Sequence, residues 1–373
     1  MQFNVRNVLP ELPEQDKWLH FAQPSIEANW HTNFGPVNAL FEERLENLYG
    51  FAGEKVVTAS SATSGLTACL ISEEISGPVL CPAFTFQATA SAIMAANCYP
   101  VIIDVSLQNG VIDPYALEAG IRKCNAKAVV VVIPYGIRVD LRAHAAVCQQ
   151  LGVLLVIDNA AGLGVDRKPT FPYEDVVREV FSLHATKPFG IGEGCAIFAP
   201  VSKSQRIRAA LNFGLSSHTH SGDQKPPFWG INGKMSELHA AVGLGVAMSI
   251  SQRVRGRQKM VRNWVDSLGD CPVTLFNSSP NEAPWQVFPI LLETQYHIKA
   301  TIELAKKKGI ELRQYYSPSL GDCAVLKKIG ICLNARTLAA RALALPVRSF
   351  MSETEQDDLI KSIKECILGA HLR

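Results

Sequence analysis

Asp158 closes the apolar run Leu151-Gly152-Val153-Leu154-Leu155-Val156-Ile157, and Lys187 follows twenty-nine residues later at the end of Phe181-Ser182-Leu183-His184-Ala185-Thr186. An apolar run that ends in Asp reads as a buried parallel strand presenting a carboxylate at its carboxyl end, the edge of an α/β sheet where ligands collect. A carboxylate and an amine so placed suit pyridoxal phosphate (PLP). The amine forms a Schiff base with the cofactor aldehyde, and the acid keeps the pyridine nitrogen protonated so that the ring withdraws electrons. Each residue alone has a plainer reading. Asp158-Asn159 is common turn chemistry, and most lysines are solvated.

PLP needs two further services. Its phosphate needs several donors, which a helix amino terminus supplies as backbone N–H groups and a favourable dipole. Ser61-Ala62-Thr63-Ser64-Gly65, between a strand-like and a helix-like stretch, has the composition of such a cradle and equally that of an ordinary capped helix start. Ser182 offers a hydroxyl to the same group, and Gly190-Ile191-Gly192-Glu193-Gly194 after the lysine permits close backbone approach. The ring needs a flat partner, for which Phe84 and Phe86 are candidates, although a Phe after a strand is usually core.

The elements that must position these residues alternate from about residue 55 to 200 in the pattern of βαβ units. Short runs 54–59, 78–82, 100–104 and 128–134 read as strands buried on both faces, with helices from 66 to 72 and 88 to 96 between them. The stretch 215–231 is rich in Ser, His, Gly and Pro and reads as a long functional loop. A helical pattern runs from Ser236 into a basic helix around 252–264. Strand-like 287–292, helix-like 298–308 and a terminal helix from about Ser352 then suggest a smaller α+β unit. The expected organisation is an α/β domain over 1–250, with an amino-terminal arm of 1–35, followed by a small domain over 251–373.

Composition narrows the function classes. With 373 residues, 47% hydrophobic and 19% charged, and 36 basic against 34 acidic residues, the chain has neither a nucleic-acid-binding nor a membrane-binding charge balance. The amino terminus lacks a leader pattern and no run approaches a membrane span, so a cytoplasmic location is expected. The ten cysteines show no CxxC or metal-finger spacing and read as reduced core residues. His218, His220 and Asp223 fit no standard ligand spacing, so no metal site is expected.

Taken in order, these motifs resemble the DegT/DnrJ/EryC1/StrS family of fold-type I PLP-dependent aminotransferases, which act on nucleotide-linked keto-sugars. The resemblance covers almost the whole chain. It runs through Thr32-Asn33-Phe34-Gly35-Pro36, Ser61 to Leu66, Phe84 to Ala90, Asp104, Ile112-Asp113-Pro114 and Tyr135-Gly136. It continues through Asp158, His184 to Lys187, Gly192-Glu193-Gly194, Asn212-Phe213-Gly214 and Gly230 to Glu237. The forms at 184–187 and 230–237 look most like the branch acting on dTDP-4-keto-6-deoxyhexoses.

The resemblance implies a large, mostly parallel sheet domain flanked by helices plus a smaller α+β domain. It implies an internal aldimine on Lys187, Asp158 at the pyridine nitrogen, Phe86 stacked on the ring, and Thr63, Ser64 and Ser182 at the phosphate. Asn232 would reach the phosphate of a neighbouring subunit, making the enzyme a homodimer with shared sites. Asn33, Phe34, His184 and Tyr316 are candidate substrate contacts. An amino acid, L-glutamate, would convert PLP to pyridoxamine phosphate, which then aminates the keto-sugar nucleotide. The alternatives are another PLP reaction on a sugar nucleotide, or a PLP-binding regulator of the same fold without turnover. Two departures stand out. Ala161 occupies a position where the family usually has Gln or His near the cofactor's 3′-oxygen, and Val176-Val177 stands where Gly-Asp is usual.

Overall fold

The computed structural model describes residues 3–215, 226–277 and 279–372, so His218, His220 and Asp223 lie outside it. Its strands are β1 (Glu54–Ala59), β2 (Gly77–Pro82), β3 (Cys98–Ile103), β4 (Ala128–Val132), β5 (Leu154–Asp158), β6 (Val177–Ser182) and β7 (Cys195–Pro200). They continue with β8 (Val273–Leu275), β9 (Val287–Leu292), β10 (Lys327–Lys328) and β11 (Ala342–Pro346). The main sheet has the order β1-β7-β6-β5-β4-β2-β3-β10. The chain is therefore an α/β protein with one large mixed sheet of mostly parallel strands.

The βαβ reading of the sequence fits the centre of this sheet, where β4 and β5 are buried at every position, as strands covered on both faces must be. β7 departs from it by running antiparallel to both β6 and β1. Two antiparallel pairings in succession leave β1 parallel to β6. As a result the carboxyl ends of β1, β2, β4, β5 and β6 share one edge of the sheet.

Local chemistry fixes the connections at that edge. Ser61, in extended conformation, caps the helix Ala62–Ser72 by accepting from the Ser64 N–H at 3.1 Å. That helix lies so close to β7 that a Cβ at Gly65 would meet Cys195 Sγ at 2.6 Å. The helix Gln87–Ala95 begins immediately after Phe86. Asp113, capping the helix Pro114–Cys124 ahead of a proline, is a structural start signal.

Beyond the main sheet, β11, β9 and β8 form a second, antiparallel sheet; the helix Gln295–Lys307 packs against β9, and the helix Glu353–His371 packs on that helix. Asp104, at the end of β3, accepts from the N–H groups of Asn334 and Ala335 and so caps the helix Leu333–Arg341. The helical patterns around 236–244 and 252–264 form one helix, Glu237–Ser267, that passes position 250 without a break. The amino-terminal segment runs back to the second sheet, where Asn7 donates from Nδ2 to the Ala344 carbonyl at 2.7 Å. All ten cysteines are free and most are buried, as residues of a reduced core. No helix among the described residues is long and apolar enough to cross a membrane.

Candidate functional site

The shared strand edge opens into a cavity of about 540 Å³. Its walls come from the loops after β1, β2, β4, β5 and β6 and from two segments of the smaller unit, around Gln286 and around Arg313 to Tyr316. Of the residues named from the sequence, Thr63, Phe86, Asp158, Ala161, Ser182, His184, Lys187 and Tyr316 line it.

Asp158 is the last residue of β5, paired with Val132 on one side and Val180 on the other, so its direction is set by the register of three central strands. Its Oδ2 accepts from Thr89 Oγ1 at 2.9 Å, and Thr89 is 2.8 Å from Thr85 Oγ1. Its Oδ1 is buried and has no hydrogen-bond partner. Burial raises the carboxyl above its usual range, opposed by the Thr89 hydrogen bond, by the nearby Lys187 charge and, least, by the Ala160 backbone N–H, which stands outside hydrogen-bond geometry.

Lys187 lies just beyond the end of β6, on a turn in which its N–H donates to the His184 carbonyl at 2.8 Å. Its amine donates to Gln286 Oε1 at 3.0 Å. Burial pushes the amine down to about 8, against the opposing pull of Asp158. A near-neutral titration gives the side chain access to both its nucleophilic and its protonated form.

At the helix Ala62–Ser72 the first intrahelical bond is made by Gly65, which leaves the N–H groups of Ala62, Thr63 and Ser64 outside the helix ladder. The Ser61 hydroxyl takes that of Ser64. Ala62 and Thr63 line the cavity, whereas Ser64 does not. Ser182 Oγ accepts from the His184 N–H at 3.3 Å, which leaves its own proton for another partner. Phe86 is 61% exposed at the cavity wall, a position at odds with a core role for this ring. Ala161 is buried there and brings no polar atom on its side chain.

Asn33, Phe34 and Asn232 do not line the cavity of their own chain. Phe34 is buried beneath the Arg208 guanidinium, 4.4 Å from its ring centroid. Asn232 is exposed and accepts from Lys234 Nζ at 2.7 Å, beside Gly233, whose carbonyl receives the Ser60 N–H. Glu237 of the same motif is buried and accepts from the N–H groups of Val37 and Asn38, capping the helix Pro36–Tyr49. A Cβ at Gly35 would stand 2.8 Å from that carboxyl carbon, so Gly35 and Glu237 answer to one packing constraint.

Thr85, Thr89, Tyr135 and Gln286 line the cavity, although the sequence reading gave them no role there. Thr85 and Thr89 stand four apart, a spacing that puts both hydroxyls on one side of a helix start and could have marked them. Gln286 gives no local signal, since it meets Lys187 only through a contact across 99 residues of chain. Tyr135 and Tyr316 stack with centroids 6.1 Å apart, and the Tyr135 hydroxyl donates to the Tyr315 carbonyl at 2.5 Å.

Known proteins share this arrangement of chain. The dTDP-4-amino-4,6-dideoxy-D-glucose transaminase of Escherichia coli is 26% identical over 371 residues, covering 96% of this chain and 97% of that protein. The transaminase of the same description from Shigella dysenteriae is 26% identical, covering 95% and 97%. The crystal structure of DesI with its TDP-sugar product superposes with a TM-score of 0.86 at 25% identity, over 100% of this chain and 96% of that one. The model of the DegT/DnrJ/EryC1/StrS aminotransferase family matches residues 14–364, and the chain belongs to that family.

Proposed function

We propose that this chain is a PLP-dependent aminotransferase that moves an amino group from L-glutamate to a keto-sugar nucleotide of the dTDP-4-keto-6-deoxyhexose class. The observation that carries the reading is the Asp158–Lys187 pair in one cavity, with Asp158 Oδ1 buried and lacking a donor. A pyridinium N–H is a donor of the kind that oxygen lacks, and the amine at about 8 suits carbonyl chemistry near neutral pH. The residues present thus fit the cofactor. Bound there, PLP would supply an electron-withdrawing ring that stabilises negative charge developing on the substrate carbon.

The chain's own residues supply the rest. Asp158 holds the ring proton through Oδ1 while Thr89 keeps Oδ2 oriented. The amides of Ala62 and Thr63, the helix dipole and the Ser182 hydroxyl bind the phosphate, with Ser64 securing the helix start. Phe86 covers one ring face. Lys187 Nζ takes a proton from one carbon and delivers it to another. Ala161 offers no hydrogen bond to the ring oxygen, so orientation of the ring falls on Asp158, Phe86 and the phosphate contacts.

The working unit in this reading is a homodimer in which Asn232 serves the partner's phosphate site. Asn232 is exposed and lies off its own cavity, and Trp229, Leu238 and Met248 near it in sequence are large apolar residues left at the surface. The similarity to transaminases of dTDP-sugars supports the substrate class. The experiment is incubation of the protein with PLP, glutamate and a panel of 4-keto and 3-keto sugar nucleotides, reading 2-oxoglutarate and product mass. Glutamate-dependent bleaching of the cofactor band and an amino-sugar product are expected. Cofactor binding without release of 2-oxoglutarate on any substrate would overturn the reading in favour of a non-catalytic PLP protein.

A further inference from the structure

The hydrogen bond from Lys187 to Gln286 is the first link of a longer chain. Gln286 Nε2 donates to Thr186 Oγ1 at 3.1 Å, and Thr186 Oγ1 is 2.9 Å from His184 Nδ1. The Thr186 N–H also points at that Nδ1, at 3.3 Å. The Lys187 ammonium at one end and the Thr186 N–H at the other set the direction of the links. The ammonium form can only donate, so in that form the Gln286 oxygen faces it and the amide nitrogen faces Thr186. Thr186 then donates onward, which makes Nδ1 an acceptor and places the imidazole proton on Nε2, 3.6 Å from Glu193 Oε1. The chain joins a buried amine to the half-exposed His184 and Glu193, and all five side chains line the cavity.

We propose that Gln286 is a positioning residue for Lys187: anchored by Thr186 and His184, its carbonyl oxygen holds the lysine amine whenever that amine is not bonded to the cofactor. The inference rests on the reading that Lys187 serves PLP. A released lysine on a four-carbon stem samples many rotamers, and a proton transfer needs one of them. Gln286 is neutral, so it stabilises the ammonium less than a carboxylate would and leaves the amine able both to take and to give up a proton. The charged and titratable groups that share the cavity are Asp158, His184, Glu193 and Arg313, together with Tyr135, Tyr315 and Tyr316. None of these is the hydrogen-bond acceptor of the amine.

The test uses cofactor-free protein first. Competitive acetylation with acetic anhydride across pH, read on the Lys187 peptide by mass spectrometry, reports the protonation of that amine. Wild type should show its transition near 8. Gln286→Leu should lower the transition by about one unit, because an acceptor for the charged form is lost, and Gln286→Glu should raise it by about as much. Thr186→Val should fall between wild type and Gln286→Leu. In cofactor-loaded protein, Gln286→Leu should slow the glutamate half-reaction about tenfold and enlarge its primary isotope effect with 2-deuterated glutamate, since proton transfer becomes more limiting.

An unmoved acetylation transition in all the variants overturns the proposal, as does a Gln286→Leu enzyme whose isotope effect is unchanged. A variant that merely loses thermal stability or cofactor content, with the transition in place, overturns it too. Failure of wild-type protein to take up PLP or release 2-oxoglutarate would instead strike the proposed function, and the acetylation result on cofactor-free protein remains readable without it.

Discussion

Thr89→Val removes one hydroxyl from the support of Asp158 and should shift the pH range in which the protein takes up PLP. Thr89 donates to Asp158 Oδ2 at 2.9 Å, and Oδ1 has no donor, so the variant leaves the buried carboxylate with neither oxygen served by a side chain. A hydrogen bond to a charged group contributes about 1.5–3 kcal/mol. Its loss disfavours the ionised form by about ten- to a hundredfold and so raises the carboxyl further. Burial has already raised it above its ordinary value. The sign for stability follows by linkage. Between the unfolded and the folded pKa, the native state holds a proton that the unfolded chain has released, so stability falls as pH rises through that interval.

In Thr89→Val that interval extends upward. In the proposed reading cofactor uptake uses the ionised form, so the acidic limb of the binding curve should move to higher pH, with affinity on that limb about ten- to a hundredfold below wild type and near the wild-type value well above it. Absorbance titration of cofactor-free protein with PLP from pH 5 to 9 measures this directly. Superimposable acidic limbs for the two proteins would refute the assignment of Thr89 as the hydroxyl that keeps Asp158 ionised.

Asp158→Asn, which removes the charge opposite the ring nitrogen, should weaken turnover by at least about a hundredfold while leaving the fold intact, as circular dichroism and single-turnover kinetics with glutamate would show. Cofactor-free wild type should gain thermal stability as pH rises from about 8 towards the free-lysine value, because the unfolded chain holds a proton that buried Lys187 has lost; Lys187→Met should lack this component. An equimolar mixture of Lys187→Ala and Asn232→Ala subunits, refolded together, should recover about a quarter of wild-type activity if each site draws on two chains, and none if Asn232 serves its own site. Glu237→Ala uncaps the helix Pro36–Tyr49 and should cost about 1–2 kcal/mol, measurable as a lower denaturant midpoint at unchanged slope.

The placement of Asp158 and Lys187 at one edge of the sheet was legible in the sequence because each is tied to a strand end. An apolar run finishing in Asp158 specifies a buried strand with a carboxylate at its tip; the structure adds β6, which brings Ser182 and then Lys187 to the same edge. The cap at Ser61 and the proline start after Asp113 are local hydrogen-bonding problems that a few adjacent residues solve. The antiparallel course of β7 was not legible. Cys195–Pro200 is buried throughout, and an apolar strand carries no mark of its direction. Tertiary structure alone decided the partners of the reactive groups. Asp104 and Glu237, which read as motif markers, cap helices 230 and 200 residues away in the chain. Gln286 meets Lys187 across a separation of 99 residues. Strand ends and helix caps are short-range and leave a pattern in the sequence. The company that an amine or a carboxylate keeps in a cavity depends on packing between distant segments, and no local pattern records it.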